Sequence, residues 1–247
     1  MFLKLKKIFF PYQEYLKNKN VIIVGPAAYL KDFENGSFID SFDVVVRINR
    51  GIELLDLNSK NLGTKTDILY NCLIETPENG GELNIELFKK KNVKWISTIP
   101  NSTKEGFAKN MKLHPLVDTK SVRLLKKNFK FHVMDYKLYN NVNRNVNSRS
   151  NTGYAAIFDL LNYHIKSLYI TGFSFYLDDF FNGYKSGSKI NEKEFALKCF
   201  NSTRHQQKPQ WEYLKKIILQ NKIIKTDKIL DEILLMKNFS REDFNLK

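Results

Sequence analysis

The sequence predicts an α/β fold: a single domain, residues 1–247, with a mostly parallel, twisted sheet flanked by helices. Short apolar runs rich in β-branched residues recur along the chain, and segments with helical periodicity lie between several of them. Strands that alternate with helices in this way are typical of a doubly wound parallel sheet. A length of 247 residues with 43% hydrophobic content is sufficient for one large core.

Six apolar runs are predicted as strands, at residues 21–25, 43–49, 66–71, 93–99, 131–134 and 167–173. The first, VIIVG, continues into Pro-Ala-Ala. A glycine at the end of a buried strand predicts a tight turn where the backbone comes close to another group, which in many α/β proteins is a phosphate. The last run, SLYITGF, ends in a second turn made of Gly and an aromatic residue.

Helical periodicity predicts helices over 81–91, 103–112, 118–128 and 153–164, with one or two closing helices from about residue 210. Two polar tracts, 139–151 and 178–192, are rich in Asn, Ser or Gly and are predicted to be mobile loops.

Residues 1–20 form a basic and apolar segment whose apolar run is far shorter than the ~20 residues of a membrane span. We expect a helix packed on the domain edge or, alternatively, a segment that rests on a membrane surface. The two cysteines, Cys72 and Cys199, make neither a disulfide framework nor a CxxC metal site, and leave a single bridge between them open. Such low cysteine usage suits a reducing compartment. We therefore predict a cytoplasmic protein, soluble or loosely peripheral to the membrane.

The formal net charge of +14 indicates an anionic partner: nucleic acid, a nucleotide or an acidic membrane surface. A nucleic-acid-binding protein is an alternative that rests on this charge and on many aromatic residues expected to be exposed. It would show a basic stripe with stacking residues, whereas the basic residues here are scattered along the chain. A dinucleotide-dependent oxidoreductase is disfavoured, because GxGxxG is missing and no acidic residue ends the second strand.

Two local arrangements are suited to a phosphorylated ligand. Arg47 and Asn49 are two residues apart on the second strand, so they share one side and would contact a ribose and phosphate at the sheet's carboxyl edge. The alternative is that Arg47 pairs with Asp40 or Asp43. Further along, Ser150, Thr152 and Gly153 precede an apolar helix. Hydroxyls and unpaired backbone amides at a helix N-terminus make either an anion site or an ordinary N-cap.

Taken together, these segments resemble the sialyltransferases of glycosyltransferase family 29. IIVGPAAYL, IDSFDVVVRIN and GTKTD are similar to the family's long motif, and SNTGYAAIFDLL with IKSLYITGF is similar to its short motif. His205 with the later Glu212 resembles the very short motif, and order and spacing agree over roughly residues 21–215. The resemblance implies a Rossmann-like, variant GT-A fold. It also implies inverting transfer of sialic acid from CMP-sialic acid, with no metal and no cofactor.

The resemblance also implies site residues and partners. His205 would be the general base, a role that a histidine pKa of about 6.5 permits at neutral pH. The residues implied to contact the donor are Gly25, Ala27, Asn49, Ser150, Thr152, Gly153, Thr171, Gly172, Phe173 and Tyr184. The expected partners are a CMP-sugar donor and a glycan or glycolipid acceptor, and no nucleic acid. CMP-Kdo is the alternative donor.

The sequence departs from the family pattern in several places. Pro26 replaces an asparagine that contacts the nucleotide, and proline has no backbone donor, so Asn49 and the amide of Ala27 would do more. The cysteine pair that joins the long and short motifs is missing. The third motif is echoed only by Phe181 and Tyr184.

In the very short motif the glutamate falls seven residues after His205 instead of five, and Gln210 takes the nearer place. The pair Asp178-Asp179 permits a metal site, although we favour a loop here. The remaining histidines, His114, His132 and His164, are expected to be structural or surface residues.

Overall fold

The computed structural model describes residues 11–100 and 118–245. Its centre is a seven-stranded sheet in the order β5-β4-β3-β2-β1-β6-β7, and each pair of neighbouring strands is parallel. The strands are β1 (Asn20–Val24), β2 (Val44–Ile48), β3 (Ile68–Tyr70), β4 (Trp95–Thr98), β5 (Lys130–Val133), β6 (Ser167–Thr171) and β7 (Ile224–Thr226).

Helices cover the sheet. In chain order they are α1 (Pro11–Leu16), α2 (Gly36–Asp40), α3 (Ser59–Leu62), α4 (Ile85–Lys90), α5 (Thr119–Asn128), α6 (Tyr136–Asn145), α7 (Thr152–Leu161), α8 (Glu192–Phe200), α9 (Gln207–Gln220), α10 (Lys228–Leu235) and α11 (Arg241–Asn245). Two short 3₁₀ helices, Ala28–Asp32 and Asn49–Ile52, follow β1 and β2.

The order of the strands fixes where a ligand can bind. The chain runs outward from β1 through β2 to β5, and then returns to form β6 on the other side of β1. Connections therefore diverge at the carboxyl ends of β1 and β6, where Val24 lies beside Thr171. In open α/β sheets, a crevice forms at such a switch point and is the usual place for a ligand.

Alternate residues of β1 pack on opposite faces of the sheet, as the two-residue repeat of a strand requires. Val21 and Ile23 join one buried apolar cluster, together with α7, while Ile22 and Val24 join a second cluster. Nine of the ten residues of α7 are buried. This helix is thus fixed against the sheet, and its N-terminus is held at the crevice.

The six predicted strands are all confirmed, with boundaries that differ by at most two residues. The seventh strand, β7, was not predicted, because three residues with an exposed centre carry too short a pattern. The predicted loop at 139–151 is wrong over its first half, where α6 continues to Asn145. Tyr139 and Val142 lie on one face of that helix and are buried, and Asp135 caps its first turn.

The tract 178–191 contains no helix or strand apart from a bridge between Ala27 and Phe180. At the N-terminus α1 packs Tyr12 and Leu16 into the core. The basic and apolar residues 1–10, on which the predicted edge helix depends, and the predicted helix 103–112 lie outside the described residues. Within the described ranges, no helix combines the length and hydrophobicity needed to cross a bilayer.

Candidate active site

A cavity of about 400 Å³ opens at the switch point. Its wall is built from the segments that follow β1, β2, β3 and β6, from the N-terminus of α7, and from residues of 172–185, α8 and the start of α9. The volume is in the range of small-molecule sites. This cavity is the candidate active site.

Within the turn after β1, Gly25 itself packs against protein. A Cβ on Gly25 would lie 2.3 Å from Gly172 O, and a Cβ on Gly172 would lie 2.4 Å from Gly25 O. Gly172 also has a φ of +74°, which favours glycine. The group that Gly25 approaches most closely is therefore the Gly172 backbone, and a phosphate near this turn stays a prediction. Gly25 and Thr171 are absent from the cavity wall, whereas Gly172 is part of it.

The amide of Ala27 is not available to a ligand either. It donates to Gly172 O at 3.1 Å, which corrects the expectation that this amide compensates for Pro26. Both Pro26 and Ala27 still line the cavity. Neither residue therefore offers an unpaired backbone N–H to a ligand in the cavity.

Arg47 is not part of the candidate site. The residue is 1% exposed, and its guanidinium donates to Leu62 O, Lys65 O and Thr66 Oγ1, so it holds the 62–66 loop. Burial lowers its pKa to about 10. Both expectations for Arg47 are corrected, since it neither faces the cavity nor forms an ion pair with an aspartate among the described residues.

Asn49, in contrast, lines the cavity. Its φ of +47° places it in the left-handed region, which asparagine tolerates better than most residues. Its Oδ1 accepts a hydrogen bond from Cys72 N at 2.9 Å. Phe175 and Tyr176, with φ of +52° and +60°, also line the cavity. Strained backbone of this kind gathers at functional sites.

The N-terminus of α7 retains two unpaired amides. Asn151 is the N-cap, and its Oδ1 accepts from Tyr154 N at 2.9 Å, so neither predicted hydroxyl serves as the cap. Thr152 N and Gly153 N make no hydrogen bond within the described residues. A Cβ on Gly153 would lie 3.1 Å from the Phe173 ring, which keeps this corner narrow. The arrangement suits an anion, because two amides and the helix dipole converge.

Three buried polar atoms on the cavity wall lack a hydrogen-bond partner: Ser150 Oγ, Tyr154 OH and Gln210 Oε1. Among the described residues only five buried side-chain polar atoms are unsatisfied, so most of them gather here. An unpaired buried polar group costs ~1–3 kcal/mol, which a polar ligand would recover.

His205 lies on the cavity wall in a defined tautomer. Its Nδ1 is 2.6 Å from the carbonyl oxygen of Arg149, and a carbonyl can only accept, so Nδ1 carries the proton. Nε2 therefore holds the lone pair. Burial lowers the pKa of His205 below 6.5, and the nearby Arg149 and Arg204 act in the same direction, while the bond to the Arg149 carbonyl partly opposes this. A neutral imidazole at pH 7 can accept a proton.

The loops that carry His205 and the start of α7 are joined by backbone and hydroxyl contacts. Arg149 N and Ser148 Oγ both donate to Arg204 O, at 3.3 and 3.2 Å, and Gln206 N donates to Ser148 Oγ at 2.9 Å. The Arg149 and Arg204 side chains also line the cavity. The candidate base thus lies in a positively charged wall, next to the helix N-terminus.

The remaining predicted residues divide between wall and scaffold. Phe173 and Tyr184 line the cavity, whereas Phe181 is buried behind it and donates its amide to Pro26 O. Glu212 is exposed on α9, while the buried Gln210 faces the cavity.

The aspartate pair has structural partners. Asp178 accepts from Tyr29 N, and Asp179 forms a 2.5 Å ion pair with Arg241. No group of three or more His, Cys, Asp or Glu side chains suited to a metal occurs in the described ranges.

Two of the other histidines agree with expectation. His132 bonds to Asp159 Oδ2 at 2.7 Å beneath the sheet's edge, and His164 is exposed. His114 lies outside the described residues. Cys72 and Cys199 both line the cavity and are not joined by a disulfide.

Comparison with known families decides the class of the protein. The model of glycosyltransferase family 29 (sialyltransferase) matches residues 11–163, more than half of the chain. The chain belongs to this family. It is a sialyltransferase-type glycosyltransferase, as the long and short motifs indicated. A comparison with curated protein sequences found no match.

Solved structures of sialyltransferases share the fold of this family 29 enzyme. The monofunctional α-2,3-sialyltransferase Cst-I from Campylobacter jejuni aligns with a TM-score of 0.52 at 16% identity, over 85% of this chain and 75% of that chain. The sialyltransferase CST-II in complex with CMP aligns with a TM-score of 0.52 at 18% identity, over 84% and 81%. A mammalian sialyltransferase gives 0.51 at 18% identity, over 85% and 69%. The predicted Rossmann-like, variant GT-A fold is therefore confirmed.

Several residues of the enzyme's cavity were not predicted from the sequence. Arg149 and Arg204 adjoin predicted residues in the chain, so their neighbours could have indicated them. Lys185 and Phe195 carry no such signal, because a lysine in a polar tract looks like any surface lysine.

Proposed function

We propose that this glycosyltransferase moves a CMP-activated ulosonic acid, with sialic acid as first choice, to a hydroxyl of a glycan or glycolipid. Transfer would proceed with inversion and without a metal. The observation that carries the proposal is the His205 ring, whose Nδ1–H is bound to the Arg149 carbonyl, which leaves Nε2 as a base in the cavity wall.

Support for a nucleotide monophosphate comes from the start of α7, next to His205. The two unpaired amides at the start of α7 suit one phosphate, and Asn49 with the unsatisfied Ser150 hydroxyl offers further polar contacts. The cationic side chains of Arg149 and Arg204 add positive charge near a leaving phosphate. Such fixed dipoles and charges stabilise a leaving anion without a divalent ion.

In the proposed step, the acceptor oxygen forms a bond to the anomeric carbon while the bond from that carbon to the phosphate oxygen breaks. The acceptor proton passes to His205 Nε2, and CMP leaves with the electron pair. A base placed within reach of the attacking hydroxyl contributes ~10²–10⁴ in rate.

A thermal-shift panel of CMP, CDP, UDP, GDP and NAD tests the donor class. We expect selective stabilisation by CMP, because a ligand that binds only the folded state raises the melting temperature. Turnover is then measured as CMP release from CMP-sialic acid and CMP-Kdo, with and without EDTA. Preference for a different nucleotide, or loss of turnover in EDTA, would contradict the proposal.

The base is tested by His205→Ala, with the exposed His164→Ala as the matched control. We expect donor-dependent CMP release to fall at least ~100-fold in the first variant while CMP still binds, and to stay unchanged in the second. Full activity of His205→Ala would remove this residue from the role of base.

A further inference from the structure

Lys185 is a buried cation in the cavity wall. The residue is 6% exposed, and its Nζ donates to Glu78 O at 2.8 Å. Nζ also lies 5.3, 5.1 and 4.4 Å from the ring centres of Phe180, Tyr184 and Phe195. Glu78 and all three aromatic residues line the cavity, so the ammonium group lies at its surface.

This ammonium group has no carboxylate partner. No described Asp or Glu forms an ion pair with it, although other lysines form eight such pairs within the described residues. The carbonyl of Glu78 occupies one of its three N–H donors, and three aromatic faces supply the remaining stabilisation. Lysine is rarely buried without a partner, because the loss of hydration is expensive.

The aromatic rings hold the amine in place but do not neutralise it. The two remaining donors therefore lack a charged acceptor among the described residues. The Asn49 region is adjacent, since the Tyr184 hydroxyl donates to Ile48 O and Cys72 N donates to Asn49. The lysine thus shares a wall with residues already assigned to the donor pocket.

We propose that Lys185 binds an anionic oxygen of the donor substrate, supplied by either the phosphate or the sugar carboxylate, and so positions the donor for transfer. The inference rests on the proposed function, because both groups belong to a CMP-activated ulosonic acid. Lys185 is a positioning residue here, and His205 remains the proposed base.

The ionisation of Lys185 gives the proposal a distinct signature. Burial lowers its pKa to about 8, and Arg50 acts in the same direction, whereas Cys199, Cys72 and Glu78 oppose it. The amine is charged below pH 8 and neutral above it, so donor affinity should fall as the pH rises from 7 to 9. The phosphate and carboxylate of the donor stay ionised over this window.

The test compares Lys185→Met with Lys198→Met. Lys198 lies over the same Phe195 ring at 6.0 Å, but it is exposed and outside the cavity wall, so the control removes the same charge at a neighbouring position. Binding of cytidine, CMP and the non-transferable analogue CMP-3-fluorosialic acid is measured by calorimetry or ligand-observed NMR. Melting temperatures are recorded without ligand.

We expect Lys185→Met to weaken CMP or the analogue at least tenfold, to leave cytidine unchanged, and to melt no lower than the wild type. If the variant binds both CMP and the analogue more weakly, the anionic oxygen bound by Lys185 belongs to the phosphate. If it binds only the analogue more weakly, that oxygen belongs to the sugar carboxylate. Lys198→Met should bind like the wild type. In the wild type, affinity for the affected ligand should fall between pH 7 and 9, a measurement that does not depend on whether the variant folds.

Unchanged affinity for both anionic ligands, equal weakening of cytidine, or a wild-type affinity independent of pH would overturn the proposal. If the wild type binds neither CMP nor the analogue, both the proposed function and the role of Lys185 fail. If the wild type binds both and Lys185→Met binds them equally well, only the role of Lys185 fails.

Discussion

The close contact between Gly25 and Gly172 permits a quantitative test of how the cavity is built. We consider Gly172→Ala. A Cβ at this position would lie 2.4 Å from Gly25 O, and the backbone φ is +74°. The left-handed conformation costs a residue with a side chain ~1–2 kcal/mol. Because the obstructing atom is backbone, the ends of β1 and β6 must also separate, at ~1–3 kcal/mol.

The expected loss of stability is therefore about 2–5 kcal/mol, measured by urea denaturation. For a chain of this size, each kcal/mol lowers the melting temperature by ~2–4 °C. Gly187→Ala is the matched control, because its φ is +80° but its Cβ would meet only Pro77 Cγ at 3.8 Å. It should show the backbone cost without the clash. The difference between the two variants thus isolates the contact between β1 and β6. If Gly172→Ala lost no more stability than Gly187→Ala, the two strand ends would not be in the contact described.

Three further predictions concern the site and its scaffold. Turnover should decline at acid pH with an apparent pKa below 6.5, because burial lowers the pKa of His205 and its neutral form is the base. A pH–rate profile whose acid limb has an apparent pKa above 6.5 would contradict this. Arg47→Met should lower the free energy of unfolding, measured in urea, by ~2–4 kcal/mol, because it leaves three buried oxygens unpaired. The KM of the folded variant for the donor should stay constant, and a raised KM would show that Arg47 contributes to donor binding. Asn151→Ala should lower the free energy of unfolding by ~1 kcal/mol, because it removes the side chain that caps α7, and a thermal melt measures this loss. Asn141→Ala is the control, since Asn141 caps no helix; if the two variants were equally stable, the cap would contribute little.

The fold was largely predictable, because a buried parallel sheet is encoded in local apolar runs. VIIV and VVVRI are rich in β-branched residues, and each lies in a strand that is buried on both faces. The search for apolar runs missed β7, which has only three residues and pairs with β6 at the edge of the sheet. It also predicted a loop for α6, because Asn-rich composition obscured the spacing of Tyr139 and Val142, which pack against the core.

The candidate site was less predictable, because the sequence shows residue types but not their partners. Arg47 and Asn49 looked equivalent as ligand contacts, yet the 62–66 loop occupies the arginine with three hydrogen bonds. The amide of Ala27 was likewise taken up by Gly172. Lys185 gave no local signal, since its burial depends on aromatic residues from the 180–184 turn and from α8.

The segment before α7 connects the two halves of the proposed chemistry. Its Arg149 carbonyl fixes the His205 tautomer, and three residues later the unpaired amides of α7 begin. Because α7 is buried along nine of its ten residues, its amides cannot shift without disturbing the core. The distance between the proposed base and the proposed phosphate site is therefore set by a short piece of backbone. Such an arrangement positions both groups before the substrate binds, which is how electrostatic preorganisation lowers a barrier.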